Sequence, residues 1–192
     1  MTAHRFDPAK MLKLNDPDRL NDLIPDLIWE AFGAPRSAAV VEIGAGTGLF
    51  VAEFARRMDR GTIHAVDSEP VMLDWMRGHL DDSGEVRIVV TDADAGDLPL
   101  PDGTVDLVYT INLHHELEDP ATMLAEARRV LRPGGLVGIV DWKRAETPKG
   151  PPLAHRIGTT ELLRQLSEAA FVTAETHDIL PYHDVVTALA PG

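Results

Sequence analysis

The sequence contains no cysteine. This absence excludes disulfide bonds, zinc–cysteine sites, iron–sulfur clusters and catalysis by a thiolate, so any catalysis must use oxygen and imidazole groups. The sequence also lacks an apolar run of the roughly 20 residues that a bilayer-spanning helix needs, and its N-terminus has no apolar segment of signal-peptide length. We therefore expect a cytoplasmic protein without membrane insertion.

Basic residues are scarce, since 18 lysines and arginines stand against 31 aspartates and glutamates and give a net charge of −13. This charge opposes the approach of a phosphate backbone, so we expect no nucleic-acid partner. Hydrophobic residues make up 44% of the 192 residues, which is enough for one core of ordinary size. We expect a single domain over residues 1–192 that acts on a small molecule, and a homodimer remains open.

The order of apolar patterns predicts an α/β fold. Apolar residues recur at helical spacing between residues 16 and 32, which indicates a helical cap over residues 1–35. Within residues 36–192, strand-like apolar runs alternate with helical patterns, as in a parallel sheet covered on both faces. The last two runs, 171–179 and 184–190, are only four residues apart. Such a short connection predicts an antiparallel hairpin at the C-terminal end.

A glycine-rich turn follows the first strand-like run. Gly44, Gly46 and Gly48 let the backbone approach a ligand closely, and the helix that follows offers free N–H groups to an anion. Asp67 ends the second run, where a carboxylate can accept both hydroxyls of a ribose. Leu49 occupies the place where the dinucleotide fingerprint requires glycine. A nucleoside is therefore favoured over a nicotinamide dinucleotide.

These residues resemble the motifs of a known family. Residues 42–48, Glu-Ile-Gly-Ala-Gly-Thr-Gly, are similar to the first motif of the class I S-adenosylmethionine-dependent methyltransferases, in particular the small-molecule branch related to quinone-biosynthesis enzymes. Leu-Pro-Leu-Pro-Asp-Gly at 98–103 and Arg-Val-Leu-Arg-Pro-Gly-Gly at 129–135 resemble later motifs in the same order. The resemblance covers residues 40–171. It implies a Rossmann-like, mostly parallel twisted sheet, S-adenosylmethionine as cofactor and methyl transfer to a small-molecule acceptor.

The resemblance also implies roles for individual residues. Asp67 would hold the ribose with Ser68 beside it, Met72 would flank the adenine, and Asn112 would lie next to the cofactor. The residues that it places at the glycine turn, beside the methionine part of the cofactor, are Glu42, Gly44, Ala45, Gly46 and Thr47.

The family usually has an Asp-Ala pair before the Leu-Pro motif, with the acid on the adenine amino group. This chain offers two such pairs, Asp92-Ala93 and Asp94-Ala95. The distance back from Leu98 favours Asp94-Ala95, whereas the distance forward from the third strand favours Asp92-Ala93. We prefer Asp94-Ala95.

Two adjacent histidines, His114 and His115, follow the fourth strand. They should lie at the carboxyl edge of the sheet, where such folds bind ligands. Transfer of a methyl group to a hydroxyl or an acidic carbon is helped by a base, so either histidine is a candidate general base or substrate contact. We expect no metal site, because adjacent residues rarely point at one ion and no third ligand is indicated.

A loop rich in proline and glycine follows the fifth strand. Its basic residues either form a solvated surface or a lid over an anionic or electron-rich substrate, and basic and aromatic residues near the N-terminus could close the same mouth. These two groups are Lys143, Arg144, Lys149, His155 and Arg156 in the loop and His4, Arg5, Phe6 and Lys10 near the N-terminus. Two alternatives to a methyltransferase remain: a nicotinamide-dependent oxidoreductase and a non-catalytic domain that binds S-adenosylmethionine or its product.

Overall fold

The computed structural model describes residues 11, 13–81 and 84–192. This part of the chain forms five α-helices, and they are α1 (Pro25–Phe32), α2 (Leu49–Ala55), α3 (Pro70–His79), α4 (Pro120–Val130) and α5 (Thr159–Glu168). It also forms seven strands: β1 (Ser37–Ile43), β2 (Arg60–Asp67), β3 (Val86–Asp92), β4 (Val105–Ile111), β5 (Leu131–Trp142), β6 (Val172–His177) and β7 (His183–Leu189).

The strands form one sheet in the order β3-β2-β1-β4-β5-β7-β6. Strands β1 to β5 are parallel, with Val40 opposite both Ile63 and Leu107. Strand β7 lies antiparallel between β5 and β6. The predicted mostly parallel sheet with a C-terminal antiparallel hairpin is confirmed. Chain order reverses between β1 and β4, so a ligand-binding crevice is expected at the carboxyl ends of these two strands.

Both faces of the sheet are covered, which explains why its strands are almost continuously apolar. Val40 and Leu107 face the cluster that contains residues of α1, α2 and α3. Their chain neighbours Val41 and Val108 face the cluster that contains residues of α4 and α5. All four are at most 1% exposed. The helices therefore cover the central strands, while the edge strand β6 stays largely exposed.

The predicted N-terminal helical pattern consists of a 3-10 helix, Pro17–Asn21, followed by α1. Helix α1 packs closely on the sheet because Gly138 has no side chain. A Cβ atom at this position would lie only 2.3 Å from the Phe32 ring. Strand β3 ends at Asp92, so the first Asp-Ala pair begins at the end of this strand. None of the helices in the described ranges is long and apolar enough to cross a membrane.

Candidate active site

A cleft of about 1140 Å³ opens at the carboxyl ends of the parallel strands. It is lined by the turn after β1, the ends of β2 and β4, the loop after β3 and the segment before α1. Pockets for one drug-sized ligand are typically about 300–1000 Å³. The cleft therefore has room for a cofactor and an acceptor together.

The glycine turn forms one wall of this cleft. Gly44, Gly46 and Gly48 have φ values of 71°, 57° and 74°, in the left-handed region that glycine adopts most readily. A Cβ atom at Gly44 would also lie 2.8 Å from the end of the Leu113 side chain, which would have to move to make room. A Cβ atom at Gly46 would have no neighbour nearer than 3.7 Å. The backbone at Gly46 is thus free to approach a ligand.

Asp67 ends β2 and joins two parts of the site. Its Oδ2 accepts a hydrogen bond of 2.7 Å from the Gly46 N–H, and its Oδ1 accepts one of 2.9 Å from the Glu69 N–H. Asp67 lines the cleft, together with Ser68 and Met72. A carboxylate has about four acceptor positions, so it retains capacity for ligand hydroxyls.

The two Asp-Ala pairs occupy different places. Asp94 and Ala95 line the cleft, as does Ala93 of the other pair. Asp92 belongs to β3, opposite Asp67 in the sheet, and lines only an adjoining, more open depression that shares Ala93 and Asp94 with the cleft. The geometry therefore favours Asp94 as the acid within reach of a ligand in the cleft.

Two buried polar atoms at the cleft, Thr47 Oγ1 and Asn112 Oδ1, have no hydrogen-bond partner among the described residues. Asn112 is held in place because its φ is 59° and its N–H donates to the Val140 carbonyl at 2.8 Å. Buried polar groups are normally hydrogen-bonded. These two atoms can accept hydrogen bonds and, with the glycine turn that lines the cleft and Asp67, fit a ligand rich in donors such as S-adenosylmethionine.

An acid and a base, Glu42 and Arg19, line the cleft near the glycine turn. Glu42 is 2% exposed and accepts a 2.9 Å hydrogen bond from the Tyr109 hydroxyl. Burial raises the pKa of Glu42 to about 8, against the opposing effects of Tyr109 and Arg19. Arg19 lines the same cleft and donates to the Leu14 carbonyl, and burial lowers its pKa. Arg19 was not predicted as a site residue, because its only signal in the sequence is its place in a helical pattern.

The two candidate histidines are separated by the structure. His114 is fully buried, does not line the cleft, and lies with its Nε2 2.7 Å from the Gln165 side-chain oxygen. Burial lowers its pKa. The side chain packs inside the protein beside α5, and this position argues against the catalytic role expected for His114.

His115 lines the cleft and is held by Asp141 at the end of β5. Its Nδ1 lies 2.7 Å from Asp141 Oδ1, and its backbone N–H donates to Asp141 Oδ2 at 2.9 Å. Burial alone would lower the pKa of His115, but the hydrogen bond and the negative charge of Asp141 outweigh it and raise the pKa. Because Nδ1 carries the proton toward Asp141, Nε2 is the basic atom. Asp141 was not predicted as a site residue.

The basic loop after β5 uses Arg156 for its own structure, which does not fit the interpretation of Arg156 as part of a substrate lid. Arg156 is only 6% exposed and is used inside the loop. Its guanidinium donates to the carbonyls of Lys143, Ala145, Lys149 and Pro151 and to the Thr147 hydroxyl. Of the loop's basic residues, Lys149 alone lines the cleft within the described chain, and it forms an ion pair with Asp22. The loop thus closes on the segment before α1 without presenting Arg156 to a substrate. His4, Arg5, Phe6 and Lys10 lie outside the described residues.

A further pair, Trp142 and His183, lines the cleft beyond His115. The two residues are opposite each other in the β5–β7 register, with ring centroids 4.1 Å apart. The sequence showed His183 only as part of the connection between two strands. Its burial arises from a pairing of distant segments, which no local pattern reveals.

Comparison with known proteins agrees with this geometry. Residues 41–139 match the family model described as a methyltransferase domain. The structure of an S-adenosylmethionine-dependent methyltransferase from Aquifex aeolicus is 29% identical in sequence and superposes with a TM-score of 0.90. The alignment covers 97% of this chain and 100% of the Aquifex chain. A malonyl-[acyl-carrier protein] O-methyltransferase of Halorhodospira halophila is 33% identical over 71% of this chain and 43% of its own length.

A ubiquinone/menaquinone biosynthesis C-methyltransferase of Bordetella avium is 32% identical over 70% of this chain and 56% of its own length. The chain thus spans roughly half or less of the two curated relatives, whereas it covers the whole Aquifex protein. The family model covers more than half of the chain and includes the glycine turn, Asp67 and the fourth strand. The chain therefore belongs to the methyltransferase domain family.

Proposed function

We propose that the protein methylates a small-molecule acceptor whose reacting atom must lose a proton, with His115 as general base. The observation that carries this proposal is the 2.7 Å pairing of His115 Nδ1 with the buried Asp141. A base held in one orientation and one tautomer is suited to take a proton at Nε2. Asp141 acts as the positioning residue, because it fixes both the ring and the backbone N–H of His115.

The cofactor would lie along the turn after β1. S-adenosylmethionine supplies, when bound, a methyl group activated on a sulfonium. Asp67 would accept the ribose hydroxyls, Asp94 the adenine amino group, and Asn112 a donor near the sulfonium. Glu42 and Arg19 would face the amino and carboxylate groups of the methionine part. The remaining residues of the predicted set would line the same path, namely Gly44, Ala45, Gly46, Thr47, Ser68, Met72 and Ala95.

With the cofactor so placed, the acceptor would enter from the side of His115, Trp142 and Lys149. In-line transfer needs the reacting atoms aligned and water excluded, and positioning supplies much of the rate. His115 is 7% exposed at its side chain, so it can take up a proton in a largely dry environment. An acceptor hydroxyl or acidic carbon would benefit most from this base.

The test is the pH dependence of methyl transfer after a screen of acceptors with labelled S-adenosylmethionine. The rate should rise with pH through a pKa above the ordinary value of about 6.5, because Asp141 raises the pKa of His115. His115→Gln should lower turnover by roughly 10²- to 10⁴-fold. Asp141→Asn should lower turnover and move the midpoint of the profile to lower pH.

The matched control is His79→Gln, which changes an exposed histidine that stacks on Trp75 outside the cleft. It should leave the rate, its pH profile and cofactor affinity unchanged. Binding of S-adenosylhomocysteine should be retained in all three variants. Full turnover in His115→Gln with an unchanged pH profile would contradict the proposed base. Binding of the cofactor without transfer to any acceptor would favour the non-catalytic alternative.

A further inference from the structure

His183 is buried without a hydrogen-bond partner. The side chain begins β7, is 1% exposed and lines the cleft. Neither Nδ1 nor Nε2 has a hydrogen-bond partner in the part of the chain that the structure describes. Leaving buried donors and acceptors unpaired is unfavourable, and a purely structural position would be better filled by an apolar ring. The free nitrogens therefore point to a partner that enters the cleft.

The surroundings of His183 are electrically balanced. Two acids, Asp22 and Asp141, and two bases, Arg19 and Lys149, act on its ring. Lys149 is paired with Asp22, and Asp141 is bonded to His115. Burial lowers the pKa of His183 to about 4, so the ring is neutral at physiological pH. A neutral imidazole has one donor and one acceptor nitrogen, and it matches an uncharged polar group better than a carboxylate or phosphate.

The indole ring of Trp142 forms an aromatic wall beside His183. Trp142 lies with its ring centroid 4.1 Å from that of His183. The chain at Gly150 runs so close to Trp142 that a Cβ atom there would lie 2.8 Å from the ring. Trp142 and Gly150 both line the cleft. This part of the cleft thus combines an aromatic wall with the neutral imidazole of His183, beside the Lys149–Asp22 ion pair.

We infer that His183 and Trp142 form the acceptor-binding subsite. It takes an uncharged, planar acceptor, and His183 binds a hydroxyl or carbonyl group of that acceptor. The inference rests on the proposed function, because it assumes that the glycine-turn side of the cleft holds the cofactor. It deepens that function by naming the acceptor's chemical class and a residue that selects it. Asp141, which orients His115, precedes Trp142 in the chain, so the subsite lies next to the proposed base.

The test uses three probes of similar size on protein saturated with S-adenosylhomocysteine. Phenol carries a neutral hydroxyl, toluene has no hydrogen-bonding group, and benzoate is an anion. Calorimetric titration should show phenol binding about 2- to 12-fold more tightly than toluene, the ratio expected for one neutral hydrogen bond. Benzoate should bind no more tightly than toluene. Phenol should also shift the ring nitrogen signals of His183 in the NMR spectrum of ¹⁵N-labelled protein.

Two variants separate recognition from packing. His183→Phe should abolish the preference for phenol over toluene and should melt at the same temperature as the wild type or higher, because it removes two unpaired buried nitrogens. His183→Gln, which can still donate and accept, should keep the preference. Both variants should bind S-adenosylhomocysteine as the wild type does.

The outcomes distinguish the subsite from the cofactor assignment. Four results would each overturn the subsite while S-adenosylhomocysteine still binds. They are equal binding of phenol and toluene, tightest binding of benzoate, no binding of phenol, and an intact preference for phenol in His183→Phe. A clearly lower melting temperature of His183→Phe with the preference intact would assign His183 a structural role instead. Failure of the wild type to bind S-adenosylhomocysteine would overturn the proposed function, and the subsite with it.

Discussion

Glu42 is a carboxyl group that folding removes from water. Its pKa is raised to about 8 by burial, whereas an unfolded glutamate has a pKa of about 4.3. Between these values the native protein binds a proton that the unfolded chain has released. A group whose pKa is raised in the native state in this way makes stability fall as pH rises, by at most about 1.4 kcal/mol per pH unit.

We therefore predict that Glu42→Gln removes the contribution of this one proton to the pH dependence of the free energy of unfolding. The free energy of unfolding, measured with urea between pH 5 and pH 8, should decrease less with pH in the variant than in the wild type. Glu30→Gln, which changes an exposed carboxyl on α1, should follow the wild type. Parallel pH profiles for the wild type and Glu42→Gln would show that Glu42 titrates normally.

At the residue scale, the sequence predicted those site residues that stand at strand ends and in the glycine turn, because order along the chain determines their place at the sheet edge. It could not tell His114 from His115. Their different directions follow from the short 3-10 helix His114–Glu116 that begins after the left-handed Asn112. Asp141 gains its importance from a contact with His115 26 positions away, and such long-range partners leave no local pattern.

At the scale of elements, helix α4 holds the loop that follows β3. Arg129 donates to the Leu98 carbonyl at 2.9 Å and to the Leu100 carbonyl at 2.8 Å. Glu126 on the same helix accepts from the Leu98 N–H at 2.7 Å. These bonds fix the stretch that follows Asp94, since the Asp97 N–H donates to the Asp94 carbonyl. The two motifs at 98–103 and 129–135 are thus joined by hydrogen bonds from Arg129 to the backbone of the first motif.

Arg129→Gln should destabilise the protein by about 1–3 kcal/mol, because it leaves the loop carbonyls without their charged donor. Chemical denaturation measures this change. Arg128→Gln is the matched control on the same helix, since Arg128 is exposed, and its effect should be within about 0.5 kcal/mol. Equal stability of the two variants would show that the loop does not depend on Arg129.

At the scale of the whole molecule, two segments far apart in the sequence meet across the cleft. Lys149, in the loop after β5, pairs with Asp22, before α1, and both residues line the cleft. Lys149 also lies 5.8 Å from the centroid of the Tyr182 ring. The sequence left open whether the loop's basic residues form a solvated surface or a lid, and it could not show that Lys143, Lys149 and Arg156 are bound within the protein. The Lys149–Asp22 ion pair joins the loop to the segment before α1, and we expect it to act as a latch over the cleft.

Lys149→Met should open this latch and speed the dissociation of S-adenosylhomocysteine by up to about 5-fold, the range expected for a partly exposed ion pair. A competition experiment in a stopped-flow instrument measures the dissociation rate, and added salt should produce a similar change in the wild type. Lys143→Met is the control, because Lys143 pairs with Asp178 and does not line the cleft. An unchanged rate in Lys149→Met, or the same rise in Lys143→Met, would count against the latch.

The proposed cofactor site depends most on Asp67. In this proposal, S-adenosylmethionine binds at the carboxyl edge of the sheet and its ribose hydroxyls donate to the Asp67 carboxylate. Asp67 also supports the glycine turn through Gly46, so loss of affinity in Asp67→Ala must be separated from loss of loop order. Adenosine and 2′,3′-dideoxyadenosine provide this separation, because the second compound lacks the ribose hydroxyls. Only a direct contact makes the loss caused by Asp67→Ala smaller for the dideoxy compound.

The decisive measurement is calorimetric titration of S-adenosylhomocysteine into the wild type, Asp67→Ala and the control Asp97→Ala. The wild type should bind it in preference to NADH, and Asp67→Ala should bind it roughly 10- to 150-fold more weakly, as expected for hydrogen bonds to a charged group. Asp97→Ala should bind like the wild type, because Asp97 lies outside the cleft. Wild-type affinity in folded Asp67→Ala would refute the ribose contact, and the absence of any binding by the wild type would refute the cofactor site as a whole.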